Sequence, residues 1–129
     1  MHENGQGSDD WVINDPKNAP AFRMAREGWD VWMGNNRGNA HSISHLDMLY
    51  TSGEYWDNHD FEEMGVYDVP AFIEQILTVT GKESIDGYIG HGMGSTQFFA
   101  AASMEPSYFE RTVKMHFALG PVTRLDYAT

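Results

Sequence analysis

The spacing of apolar and polar residues along the chain predicts helices separated by short strands. The clearest signal is a helix over 60–81, which Asp60 caps and Pro70 is expected to kink or divide. The other predicted elements are helices at 20–27 and 95–104, strands at 29–34, 84–89 and 112–119, and loops at 2–10 and 40–59.

Strands that alternate with helices of this length predict a parallel sheet covered by helices. The fold class is therefore expected to be α/β, with three parallel strands and flanking helices in one domain over 1–129. Ligands of such sheets bind beyond the carboxyl ends of the strands. In this sequence those ends lead into the turns 34–38, 90–94 and 120–121.

Charge and composition exclude several function classes. The chain has 8 Lys and Arg against 19 Asp and Glu, a net charge of −11, so nucleic acid and anionic membranes are not expected as main partners. It has no Cys, which excludes disulfides and Cys-ligated zinc. We expect no transmembrane segment, because no apolar run reaches about 18 residues. The polar residues at the start do not resemble a secretory signal.

A glycine-rich turn between a predicted strand and an apolar helix carries the candidate chemistry. Gly90, His91, Gly92, Met93 and Gly94 have the G-x-?-x-G frame of a nucleophile elbow, in which small outer residues let the backbone turn sharply. The central residue, Gly92, has no side chain. A phosphate-binding loop is the alternative, but the third glycine of the G-x-G-x-x-G spacing is missing and no basic residue lies nearby.

Several segments resemble the acid lipases, the gastric and lysosomal neutral-lipid esterases of the α/β-hydrolase superfamily. Residues 34–39 (GNNRGN) are similar to a signature of that family, and 90–96 (GHGMGST) are similar to its GHSQGTT elbow. In the same order along the chain, 9–14, 55–71 and 117–122 also resemble family segments. The resemblance implies a partial α/β-hydrolase fold.

The resemblance places Gly92 where the family has its nucleophilic Ser. It assigns the oxyanion hole to the backbone N–H of Met93 and to one N–H of the loop after His2, so Glu3 and Asn4 are the other candidates. The family reads His-Gly-Leu in that loop, and this chain departs from it.

The resemblance assigns a structural role to the signature turn Asn35, Asn36, Arg37 and Gly38. We expect Arg37 to pair with a carboxylate. The carboxylates considered are those of Asp30, Asp57, Asp60 and Asp68. His91 is expected to pack or hydrogen-bond beneath the elbow. The aromatic residues expected in the core are Trp29, Trp32, Tyr55, Trp56, Phe61 and Tyr67.

Loss of the nucleophile of such a triad lowers the rate on the order of a million-fold. The first hypothesis is therefore an inactive acid-lipase-like segment that serves as a structural or interaction subunit. The alternative hypothesis is that the chain is part of a working lipase or esterase that cleaves neutral-lipid or carboxylic esters through an acyl-enzyme. No cofactor or metal is expected, and His41 and His45 are interpreted as solvated loop residues rather than ligands.

The strand order of the family places one strand, just before His2, between the strands at 29–34 and 85–90. Either the three strands close up directly or other protein chains supply the missing one. We expect other protein chains to complete the sheet, because an open sheet exposes backbone edges. A lipid or fatty acid is a further candidate ligand, bound weakly at the Met93 helix start. The resemblance implies a lysosomal or secreted location.

Overall fold

The computed structural model describes residues 1–57 and 59–124, which form a small parallel sheet covered by helices. The elements in chain order are a 3-10 helix Ser8–Trp11, α1 Pro20–Arg26, α2 Gly53–Trp56, α3 Phe61–Glu63, a π-helical segment Met64–Asp68, α4 Val69–Thr80, β1 Tyr88–His91, α5 Met93–Met104, α6 Pro106–Thr112 and β2 His116–Leu119. None of the helices in these ranges is long and apolar enough to cross a membrane.

The two strands are parallel neighbours, and the crossover between them carries α5 and α6. Tyr88 lies opposite His116 and His91 lies opposite Leu119. The predicted α/β class with flanking helices is confirmed. The candidate elbow leaves the carboxyl end of β1, at the edge where parallel sheets bind ligands.

The prediction of three strands is wrong for the described residues. The segment 29–34 pairs with no strand there, since Met1 occupies the position between it and β1. The Met1 carbonyl accepts from the His91 N–H at 3.0 Å, and the Met1 nitrogen donates to the Ile89 carbonyl at 2.5 Å. On its other side, Met1 packs against Gly34. A Cβ built on Gly34 would lie 2.6 Å from the Met1 Sδ atom.

The other two strands differ from the prediction. The strand predicted at 84–89 is found at Tyr88–His91, and both strands are shorter than predicted. The predicted strand 112–119 starts at His116, because Thr112 still belongs to α6 and Val113 forms only an isolated bridge with Ile85. Three short helices were not predicted: Ser8–Trp11, α2 and α6.

The predicted helix over 60–81 is present but divided. Asp60 caps it as expected, with Oδ1 accepting from the N–H groups of Glu62 and Glu63 at 2.7 and 3.2 Å. Pro70 lies in the first turn of α4, directly after the point at which the predicted helix is divided. The π-helical segment precedes this turn, and α4 ends at Gly81 with φ 68°, a left-handed cap that suits glycine.

The core lies between α4, α5, α6 and β1. Its buried residues are Val69, Ile73, Tyr88, Phe98, Ala101 and Phe109. Close packing of the π-helical segment on α5 depends on Gly65, where a Cβ would be 2.6 Å from the Gln97 carbonyl oxygen. Of the aromatic residues expected in the core, Tyr55 is buried and Phe61 is half-buried, whereas Trp29, Trp32, Trp56 and Tyr67 are exposed by 43–62%.

His116 of β2 packs against the aromatic core. Its ring is tilted against that of Phe98 with centroids 4.1 Å apart, and its Nε2 is buried without a hydrogen-bond partner among the described residues. Burial lowers the pKa of His116 below its ordinary value.

We predict that stability falls as the pH drops below about 6.5, the ordinary histidine pKa, because the unfolded chain then binds the proton that the folded chain excludes. His116→Phe keeps an aromatic ring and removes the titration, so its loss of stability between pH 7.5 and 5.5 should be smaller. Urea unfolding at both pH values measures this, and equal losses in the two proteins would contradict it.

Candidate active site

The turn between β1 and α5 has the strained geometry of a nucleophile elbow. Gly92, at its apex, has φ 50° and ψ −114°, a conformation that L side chains rarely adopt. A Cβ at Gly90 would lie 2.6 Å from the backbone of Gly94 and Ser95. Glycine at position 90 therefore allows the turn to close on itself.

The elbow also packs against the start of the chain. A Cβ at Gly94 would be 2.6 Å from the Met1 carbonyl oxygen and 2.8 Å from that of His2. From inside the core, the Tyr88 hydroxyl donates to the Gly94 carbonyl at 2.9 Å, and burial raises the pKa of Tyr88 well above its ordinary value. This packing brings the loop after His2 beside the apex.

A carboxylate occupies the apex of the elbow. The Oε1 atom of Glu3 accepts hydrogen bonds from the Met93 N–H at 3.0 Å and from the Asn4 N–H at 2.6 Å. A Cβ built on Gly92 would fall on the other carboxylate oxygen, Oε2. The Glu3 side chain therefore accepts from both N–H donors and also fills the space above Gly92.

Of the three residues considered for the oxyanion hole, Met93 and Asn4 direct their N–H groups at the same point. Glu3 contributes its side-chain carboxylate there, which accepts from both N–H groups. Sequence reasoning missed this role of Glu3. The available signal was that the resemblance places Glu3 and Gly92 in one predicted site. The His91 side chain is exposed, so the expectation that it packs beneath the elbow is wrong.

The hydroxyl groups nearest to the apex are already hydrogen-bonded. Ser95 is fully buried and donates to the Gly90 carbonyl at 2.7 Å. Thr96 donates to the Val122 carbonyl at 2.5 Å. Neither oxygen lies where the elbow would present a nucleophile.

The signature turn, residues 35–38, forms hydrogen bonds with the loop that begins at His2. His2 is buried, with Nδ1 2.8 Å from the Glu3 carbonyl and Nε2 accepting from the Asn36 N–H at 3.1 Å. These contacts assign the proton to Nδ1. Asn35 joins the same network by accepting from the Ser8 N–H at 2.9 Å and donating to its hydroxyl at 3.0 Å.

Arg37 fixes the other end of the signature turn. Its Nε and terminal nitrogen donate to Oδ1 of Asp68 at 3.0 and 2.8 Å, and its backbone N–H donates to Oδ2 at 2.9 Å. Asp68 is thus the partner among the four carboxylates considered. Gly38 follows with φ 78°, and its N–H donates to the Ser42 carbonyl at 3.0 Å.

A cavity of about 580 Å³ opens beside the elbow. Met93, Asn4, Asn36, Asp10 and His59 are among the residues that line it. Three of them carry a buried polar atom without a partner in the described part of the chain: Nδ2 of Asn36, Oδ2 of Asp10 and Nδ1 of His59. Burial also lowers the pKa of His59. Because these three atoms are buried, they lie behind the surface of the cavity and are not exposed to it.

The loop histidines considered as metal ligands have other partners. His41 Nε2 lies 2.9 Å from Asp9, and His45 Nδ1 accepts from the N–H groups of Asp47 and Met48 at 3.1 Å. Within 1–57 and 59–124, no three His, Asp or Glu side chains come together as a metal site.

The chain belongs to the alpha/beta hydrolase fold family, which its residues 4–121 match. Within that family it is similar to lipases, which confirms the resemblance recognised from the motifs. It is 43% identical over 122 residues to the lysosomal acid lipase/cholesteryl ester hydrolase of Rattus norvegicus, covering 95% of this chain and 30% of that protein.

Lipase lipl-3 of Caenorhabditis elegans is 40% identical over 115 residues, covering 89% of this chain and 28% of that protein. Lipase member K of Homo sapiens is 42% identical over 117 residues, covering 91% of this chain and 29% of that protein. The chain therefore spans less than a third of the length of these relatives.

We predict that Gly90→Ala destabilises the chain by about 1–3 kcal/mol, because the new methyl group meets backbone atoms that cannot move aside. Gly53→Ala is the matched control, since a Cβ there meets nothing within 4 Å. Urea unfolding of both variants measures the difference. Equal stability of the two would contradict the packing described for the elbow.

Proposed function

We propose that this chain is a lipase-type α/β-hydrolase segment that does not hydrolyse esters and acts as a structural or interaction component. The observation that carries the proposal is the elbow apex, where Gly92 offers no nucleophile and the Glu3 carboxylate fills the space above it. Acyl transfer at such an elbow needs a side-chain nucleophile at that position.

The occupied donors also argue against catalysis. Ester hydrolysis develops a negative charge on the carbonyl oxygen, which N–H groups of an oxyanion hole stabilise. Here the N–H groups of Met93 and Asn4 already bind Glu3, so an incoming carbonyl group would have to displace a charged acceptor. The carboxylate cannot serve as the nucleophile while it occupies the place of the substrate oxygen.

The interaction role is supported by the small sheet. Only two strands pair in the described part of the chain, and Phe117 and Leu119 of β2 are each 46% exposed, next to Met115 at 53%. Exposed strand edges and apolar side chains favour association with further strands. We infer that other polypeptide segments complete this sheet.

The second candidate function is that of a segment of a working lipase or esterase. The lipase relatives and the retained backbone of the elbow favour it. In that case Gly92 is a divergent position, and another oxygen must act as the nucleophile.

Labelling with a fluorophosphonate probe separates the two functions. We expect the intact chain to remain unlabelled, because Ser95 is buried and the apex has no hydroxyl, whereas an active acid lipase treated in parallel is labelled. Covalent labelling of this chain, with the modified residue located by mass spectrometry, would overturn the proposal of inactivity. A Gly92→Ser variant that becomes labelled would show that the missing hydroxyl is the cause.

Sedimentation tests the interaction role. We expect the isolated chain to associate or to require a partner, because its β2 edge and apolar side chains are open. A monodisperse monomer of 14.6 kDa that unfolds cooperatively would contradict this role.

A further inference from the structure

The turn that follows Glu3 contains an asparagine whose surroundings favour reaction with its own backbone. Asn4 and Gly5 are the two central residues of a β-turn, which the Gln6 N–H closes by donating to the Glu3 carbonyl at 3.2 Å. We propose that Asn4 is a modification site, at which the folded chain deamidates spontaneously through a cyclic imide. This reaction is independent of whether the chain hydrolyses esters.

The reaction joins the Asn4 side chain to the next peptide nitrogen. The Gly5 nitrogen attacks Cγ of Asn4, the bond between Cγ and Nδ2 breaks, and ammonia leaves with the proton that the Gly5 nitrogen gives up. Solvent water then opens the resulting five-membered imide at one of its two carbonyl carbons. Opening at Cγ gives aspartate, whereas opening at the main-chain carbon gives isoaspartate, in which the chain runs through Cγ. Both products carry one more carboxylate than the original chain.

The attacking nitrogen of Gly5 is accessible. Its N–H has no hydrogen-bond partner in the described part of the chain. No side chain shields it, and even a Cβ built on Gly5 would meet nothing within 4 Å. Gly5 has φ 70°, as the third residue of a type II turn requires, which explains why glycine follows the asparagine here.

The Asn4 amide is also free to move. Asn4 is exposed, and its side chain forms no hydrogen bond with the described residues. One hydrogen bond closes the turn, so the rotation that brings Cγ to the Gly5 nitrogen disrupts little structure. Asn18 is exposed as well, but the nitrogen after it belongs to the buried Ala19 and donates to the Asp15 carbonyl at 2.9 Å.

Deamidation changes the loop beside the elbow. The Glu3 carboxylate accepts from the Asn4 N–H at 2.6 Å, so a second carboxylate on residue 4 lies on the adjacent residue and repels the first. In the isoaspartyl product the main chain also gains one carbon atom within the turn that the Gln6 N–H closes. The modification therefore weakens the contact between Glu3 and the Met93 N–H.

Mass spectrometry of the folded chain tests the proposal. The intact protein is incubated at mildly alkaline pH and then digested with an acid protease, because low pH stops further reaction. We expect the peptide with Asn4 to gain about 1 Da. Its rate should be at least about tenfold higher than the rates at Asn14 and Asn18, which are also exposed. Aspartate and isoaspartate should appear together, and electron-transfer fragmentation distinguishes them.

Gly5→Ala is the variant that removes the reactive feature, because its methyl group shields the nitrogen without meeting another atom. The rate at Asn4 should fall at least about tenfold in this variant. Gly53→Ala is the matched control, since its methyl group also enters open space and should leave the rate unchanged.

Three results would overturn the proposal. The first is equal rates at Asn4, Asn14 and Asn18 in the folded chain. The second is a mass gain at Asn4 that appears only after unfolding in urea. The third is aspartate as the sole product, because direct hydrolysis of the amide then replaces the cyclic imide.

Discussion

Close approach of the elbow backbone to the start of the chain is the constraint on which the site depends. Gly94 lies against the carbonyl groups of Met1 and His2 at distances that exclude a side chain. Because the backbones touch, the loop after His2 cannot lie far from the start of α5. The Glu3 carboxylate is consequently within hydrogen-bonding distance of the Met93 N–H. The signature turn holds the same loop from the other side through the His2 imidazole.

Gly92 and Glu3 form one structural feature. Glycine at position 92 leaves the apex without a side chain, and the Glu3 carboxylate lies in the space that a side chain there would take. The backbone of the elbow has the strained conformation, with φ 50° at Gly92, although this residue has no side chain. In this elbow the N–H groups of Met93 and Asn4 therefore donate to a carboxylate of the same chain, that of Glu3.

Much of this fold could be predicted from local sequence signals, because the α4 and α5 helices, the Asp60 cap and the elbow glycines each depend on neighbouring residues. The strand predicted at 29–34 was wrong for a non-local reason: a strand needs a hydrogen-bonded neighbour, and no strand of the described chain pairs with this segment. Similarly, the resemblance indicated the N–H of Met93 and that of Glu3 or Asn4 as donors, whereas tertiary packing that no local pattern encodes brings the Glu3 carboxylate to the Met93 N–H.

A high-resolution crystal structure of the chain, grown without carboxylate buffers, tests the central claim most directly. The account predicts continuous electron density for the Glu3 side chain, with one carboxylate oxygen about 3 Å from the nitrogens of both Met93 and Asn4. Density for Glu3 directed into solvent, with water or a buffer anion on those two N–H groups instead, would contradict it.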